Sequence, residues 1–324
     1  MNMNNIVMGV FVFLLISCIS CAGASTDVNS VSGSIQNVSE PNSARQTDEV
    51  DSILEKMNES TSELKSLQCK IEYRHVQPSV FDMESLRRGI LYYSKYDSTS
   101  ASKAGANNFK FRLNFETLKL DEEDEREYKE QYILVDGSSL PKTKTVKKFE
   151  GLWIVLLDYD NKSVKYIQLT NGSKPNSTRG NDIFEIISTE FPMVGFTKTD
   201  QLREQFDISL VTSDSNSVNS DSNEKASSGN VKSDELIQVH LKVKPNSVYK
   251  DEYVQLDFWI DRKNYLPVKI KAISTEPEGQ IIKSKDFKEI KFLDVRVNEK
   301  IDNKVFDYQI PKNFDEPDIY PLEN

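Results

Sequence analysis

Residues 253–273 read YVQLDFWIDRKNYLPVKIKAI, and the same region closes at 305–314 with VFDYQIPKNF. Val254, Leu256, Phe258 and Ile260 alternate with Gln255, Asp257 and Trp259, the two-residue period of a half-buried strand. Asp261, Arg262, Lys263 and Asn264 turn the chain, and Val268, Ile270 and Ala272 resume the alternation against Lys269 and Lys271. The stretch predicts a hairpin with one apolar face. Such a face has to be covered, and the preceding chain supplies more strands of the same kind.

Phe109, Phe111, Leu113 and Phe115 alternate with Lys110, Arg112, Asn114 and Glu116, the cleanest period-two run in the chain. Further strands are expected from Cys69 to Gln77, Leu86 to Tyr93, Gln131 to Val135, Leu152 to Asp158 and Ser163 to Leu169. The pair 152–169 makes a second hairpin, with Trp153, Val155, Leu157, Val164 and Tyr166 available for a core. Strand character returns at Phe206 to Val211, Leu236 to Val243, Ile281 to Phe287 and Ile290 to Val297.

Helices are few. Val50, Ile53, Leu54, Met57, Thr61, Leu64 and Leu67 recur at three and four, so an amphipathic helix starts at Thr47 or Asp48. Asp182 to Ile187 reads as a short apolar helix, Phe191 to Phe196 as an apolar loop, and Thr199 or Asp200 to Gln205 as another short helix. Apolar helices and loops between strands either plug a core or cover a cavity, and both readings stay open.

Ile6 to Ile16 is almost continuously apolar and Ala22-Gly23-Ala24 offers small residues for cleavage, so residues 1–24 predict an export signal. Leu15-Ile16-Ser17-Cys18 also resembles a lipobox, which makes Cys18 a candidate for acylation; an ordinary cleaved signal is the other reading. Residues 25–47 predict a flexible polar tether, and 48–317 one domain with insertions at about 138–148 and 212–234, followed by a tail at 318–324. The expected location is the periplasm or cell envelope, with or without a lipid anchor.

Acidic residues outnumber basic ones, 51 to 41, and no basic cluster interleaves with aromatics, which argues against nucleic acid as partner. His75 and His240 are the only histidines and occupy no metal-binding spacing, and neither a GxSxG elbow nor a glycine-rich phosphate loop occurs. His240 and Cys69 each sit in an alternating run and read as structural residues. The acidic run Asp121 to Glu125 lacks the glycine turn and terminal bidentate acid of a cation loop, and reads as solvated. No metal or cofactor is expected. A catalytic carboxylate pair drawn from distant strands is the one enzymatic reading left, and nothing in the sequence selects one.

Several segments taken in order resemble the LolA-like outer-membrane lipoprotein carriers. Arg88-Gly89-Ile90-Leu91-Tyr92 is similar to their glycine-bearing strand, and 109–113 to the next strand. Leu134 to Gly137, Leu152 to Ile154 and Tyr159 to Val164 are similar to their DG, aromatic strand and polar turn. Leu256 to Val268 and Val305 to Pro311 resemble the closing strands and terminal F-x-F-x-x-P. Lys95-Tyr96 stands where carriers often have an Arg-Pro tied to lid closure, a departure from the residues on which the family's release mechanism rests.

The resemblance implies a mainly β, α+β fold: an incomplete antiparallel β-barrel, or half-barrel, with an N-terminal amphipathic helix and short lid helices. It implies a non-enzymatic protein that holds lipid acyl chains or lipoproteins, with envelope membrane proteins as further partners. The cavity and lid residues it points to are Phe109, Phe111, Leu113, Phe115, Trp153, Ile183, Phe184, Ile186, Ile187, Phe191, Met193, Leu256, Phe258 and Ile260. The alternative is a membrane-anchored envelope scaffold or partner-binding module of the same fold whose side chains fill the cavity.

Overall fold

The computed structural model describes residues 41–78, 83–95, 109–144, 146–170, 199–211, 235–275 and 285–322, all within one compact unit that runs from Pro41 to Asn324. The signal, Cys18, the first part of the tether, and the lid residues Ile183, Phe184, Ile186, Ile187, Phe191 and Met193 lie outside the described residues, as does the whole insertion at 212–234.

Helix α1 spans Pro41–Ser62, starting before Thr47 and so taking in the last residues expected to be tether. Then come β1 (Ser66–Gln77), β2 (Met83–Lys95), β3 (Phe109–Leu120), β4 (Arg126–Asp136), β5 (Leu152–Asp158) and β6 (Ser163–Gln168). After α2 (Thr199–Gln205) follow β7 (Phe206–Leu210), β8 (Leu236–Val243), β9 (Tyr253–Asp261), β10 (Pro267–Ser274), β11 (Phe287–Val297) and β12 (Asp318–Tyr320). They form one open sheet in the order β12-β6-β5-β4-β3-β2-β1-β11-β10-β9-β8-β7, antiparallel except where β12 pairs β6 in parallel. Its end strands, β12 and β7, do not pair, so the barrel is incomplete.

Two antiparallel meanders, β1–β6 and β7–β11, meet at a single seam, where β1 pairs β11 from Leu67↔Val297 to Val76↔Phe287. The concave face carries the larger core, which gathers β1–β5, β8–β11, α1 and Leu202 of α2. Helix α1 runs across this face, burying Val50, Ile53, Leu54 and Met57, with Leu64 buried just beyond its end. It is tied along its length: Asp51 to Arg203 of α2, and Lys56 Nζ to the Tyr265 hydroxyl at 3.2 Å.

A second core lies on the other side of β4–β6. Ile133, Val135, Trp153, Val155, Leu157, Val164 and Tyr166 are covered there by Leu140, Phe149 and the C-terminal residues Tyr308, Ile310, Phe314 and Ile319. Arg112 pins this C-terminal strap by donating to the carbonyls of Val305 (2.8 Å) and Asp307 (2.6 Å).

Two bulges shift the opening hairpin by one position. Pairing slips between Ile273↔Gln255 and Ser274↔Tyr253, so Tyr253 is buried and Val254 only half-buried, against the expectation for Val254. A second slip at Pro267 and Lys269 leaves Val268 half-buried while Ile270 and Ala272 stay inward. The segment 281–297, expected as two strands, holds one described strand, β11.

Candidate functional site

The register sorts the sheet into inward and outward rows. One inward row runs Val239, Phe258, Ile270, Ile290, Tyr73, Arg87 across β8, β9, β10, β11, β1 and β2. The next is Leu241, Leu256, Ala272, Lys288, His75, Ser85. In the other meander, Cys69, Leu91, Leu113, Tyr132 and Leu156 face one another in line, as do Ile71, Gly89, Phe115 and Glu130. These rows make a broad apolar wall with polar side chains at one end.

Of the residues expected to line a cavity, Phe111, Leu113, Phe115, Leu256, Phe258 and Ile260 lie on this wall, and Phe109 packs half-buried at its margin. Trp153 does not. Alternation puts Ile154 and Leu156 on the concave side, so Trp153 joins Val155 and Leu157 in the second core, where its Nε1 donates to the Glu150 carbonyl at 2.9 Å. Trp153 is therefore withdrawn from the cavity set. Cys69 is buried on the concave wall, and burial pushes its thiol up to about 12, so it is an inert apolar filler.

From β9 through the seam to β3, the outward face is charged. Trp259, Lys269, Lys291, Glu72, Arg88 and Thr117 form one cross-strand row, with Lys269 stacked on Trp259 at 4.4 Å. Glu289 is bound by Lys269 at 2.9 Å and Lys291 at 3.4 Å. Burial works against the Glu289 charge, but the surrounding lysines outweigh it and hold the carboxyl below its ordinary value. Arg88 bridges Glu72 and Glu125, both at 2.7 Å, which accounts for one member of the acidic run at 121–125. Opposite charges on facing strands stabilise pairing modestly and keep this face in water.

At the polar end of the concave wall stands a feature the sequence did not single out. Arg87 Nη1 bonds Glu130 Oε2 at 2.7 Å, with side-chain exposures of 21% and 9%. The guanidinium lies 4.9 Å from the Tyr73 ring centre and 4.8 Å from that of Phe115, which are 6.2 Å from each other. Burial alone would disfavour the Arg87 charge; Glu130 and the surrounding tyrosines outweigh it, so the group stays protonated. Beside it, Lys288 Nζ donates to the Tyr253 hydroxyl at 3.4 Å, and His75 faces Lys288 across the seam. The register is what reveals them: Arg87 and Glu130 fall at inward positions of their strands, where apolar residues otherwise stand.

The two histidines lie on opposite faces and titrate with opposite signs. His75 is lowered to about 4, by burial first and then by Lys288 and Arg87, with Asp286 opposing. Its contribution to stability is present above the unfolded value of 6.5 and lost as pH falls toward about 4. His240, on the outward face, is raised, first by its 2.8 Å Nδ1 bond to Asp257. That contribution is present below 6.5 and lost as pH rises through the raised value. Urea midpoints measured across pH will show His75→Gln removing part of the acid loss and His240→Gln flattening the alkaline side. The same slope change in both variants would refute this assignment.

No family model matches the chain, and no curated protein matches it. Solved structures do. The chain is similar to a DUF1329 family protein from Desulfovibrio piger, with 9% identity, a TM-score of 0.36 and coverage of 81% of this chain and 98% of that one. A domain from Vibrio parahaemolyticus named for outer membrane lipoprotein sorting shows 11% identity and a TM-score of 0.30, covering 79% and 97%. A LolA superfamily protein from Nitrosomonas europaea shows 14% identity and a TM-score of 0.30, covering 80% and 97%. These likenesses span nearly the whole length of each neighbour at low identity.

Proposed function

We propose that this chain is a non-enzymatic, exported binding protein that holds lipid acyl chains or lipoproteins against its concave wall, within the cell envelope. The observation that carries this reading is the sorting of the sheet: apolar side chains inward over most of the wall, and ion pairs outward on the strands that the second core does not cover. Such a wall fits methylene groups and has no shape preference for a polar substrate.

Energetics constrain how it would work. Burial contributes about 0.8 kcal/mol per methylene, so a chain of about fifteen approaches 12 kcal/mol, too tight for ready release. Helix α1 already shields part of the wall, and a ligand that displaces protein side chains recovers only the difference. Lipid extraction and native mass spectrometry of the purified protein test this: acyl-bearing species are expected to co-purify, or to be taken up on incubation with long-chain lipids.

A second reading has its own support. Phe111, Leu113, Phe115, Leu256, Phe258 and Ile260 are each no more than 1% exposed, as in a self-filled envelope scaffold. A protein that is consistently empty and takes up no acyl chain in those experiments is that scaffold.

A further inference from the structure

We propose that Arg87 is an anchor for the anionic oxygen group of an acyl ligand, a carboxylate or a phosphate, at the polar end of the concave wall. The proposal rests on the acyl-binding reading above and adds the ligand's polar end. An ion pair set into an apolar wall stabilises a fold little more than apolar residues of the same size, so the pair asks for another use. Arg87 carries five N–H donors, and its one hydrogen bond among the described residues goes to a single oxygen of Glu130. Its other N–H groups carry no hydrogen bond among the described residues, and about a fifth of the side chain (21%) is exposed.

The frame holds that fork in place. Tyr73 and Phe115 lie against the guanidinium from β1 and β3, and Glu130 reaches it from β4. From Arg87 the apolar rows of Tyr73, Ile290, Ile270 and Phe258 lead away across the sheet. A methylene chain lying along them would place its head at the guanidinium. Two bases, Arg87 and Lys288, meet two acids, Glu130 and Asp286, around this corner, so net charge does not select an anion. The planar, spaced N–H groups do, because they match a pair of carboxylate or phosphate oxygens. Glu130 then acts as the internal competitor that fills part of the fork when no ligand is present.

Three probes with the same sixteen-carbon tail separate the possibilities: palmitate, hexadecyl phosphate and neutral 1-hexadecanol, titrated into the purified protein by calorimetry. The wild-type protein is expected to bind at least one anion about tenfold more tightly than the alcohol. Whichever anion leads identifies the source as a fatty acid or a phosphate-bearing lipid. Arg87→Gln should bring all three to within about twofold, and Glu130→Gln should tighten the anion about threefold while leaving the alcohol unchanged. The double variant Arg87→Gln/Glu130→Gln leaves no lone charge in the wall, and is expected to fold and to show the same loss of preference. Equal binding of all three by the wild-type protein, or a preference that survives in the double variant, overturns the anchor while leaving acyl binding intact. Binding of none of the three overturns the acyl reading and the anchor together.

Discussion

Gly89→Ala will cost about 4 kcal/mol or more, or prevent folding, with urea unfolding followed by circular dichroism as the measure. A Cβ at this position would stand 1.8 Å from the Asn114 carbonyl oxygen and 2.8 Å from the Phe115 Cα, both backbone atoms of β3. The cause is a bulge in the pairing: Arg88 faces Thr117 and Gly89 faces Phe115, which leaves Glu116 as the extra residue. The bulge presses β3 onto β2 at the one position where no side chain stands in the way. Relief would require the two strands to separate in the middle of the sheet, where neither is an edge. A loss below about 1 kcal/mol would show that β3 can move aside, and that the close approach is incidental.

Phe115→Ala is expected to cost about 3–5 kcal/mol in the same measurement, at the upper end for an aromatic truncation. Phe115 is fully buried (0% exposed) and touches three aromatic or cationic partners at once. Its ring meets Tyr132 edge-on at 6.2 Å and Tyr73 at 6.2 Å, and lies under the Arg87 guanidinium. Removing it opens a void on the concave wall and also takes away one side of the frame that shields the ion pair. Phe109→Ala, at the half-buried margin, should cost about 1–2 kcal/mol. Equal costs at the two positions would contradict the gradient of burial along β3.

Much of this was legible in the residues. The alternation at 109–115 returned a strand with Phe111, Leu113 and Phe115 inward, the strand expected at 236–243 is present, and the helix face of Val50, Ile53, Leu54 and Met57 is the one α1 buries. The hairpin at 253–273 was legible except at its bulges, because a one-residue slip exchanges faces and leaves no mark in composition; hence Tyr253 for Val254. Trp153 was misassigned for a different reason. Tyr132 to Val135 and Trp153 to Leu157 are unbroken apolar runs, the mark of strands buried on both faces, and β4 and β5 are covered on both sides. What covers the outer side is the C-terminal strap, and β12, three residues long and parallel, has no periodicity from which to be read. Arg87 and Glu130 look like ordinary surface charges until the register shows that they point inward.

The seam between β1 and β11 has a consequence for how the chain reaches its native state. Each meander is built from neighbours close in sequence, so either half can form its pairings quickly. Joining them requires Leu67 to find Val297 and Val76 to find Phe287, a loop closure of more than two hundred residues. Until the last of β11 has emerged, the first half presents the bare edge of β1, twelve residues long, and half of an apolar wall. Seam closure is therefore the slow step of folding, and the interval before it is when the nascent protein is most exposed to aggregation and most in need of a chaperone.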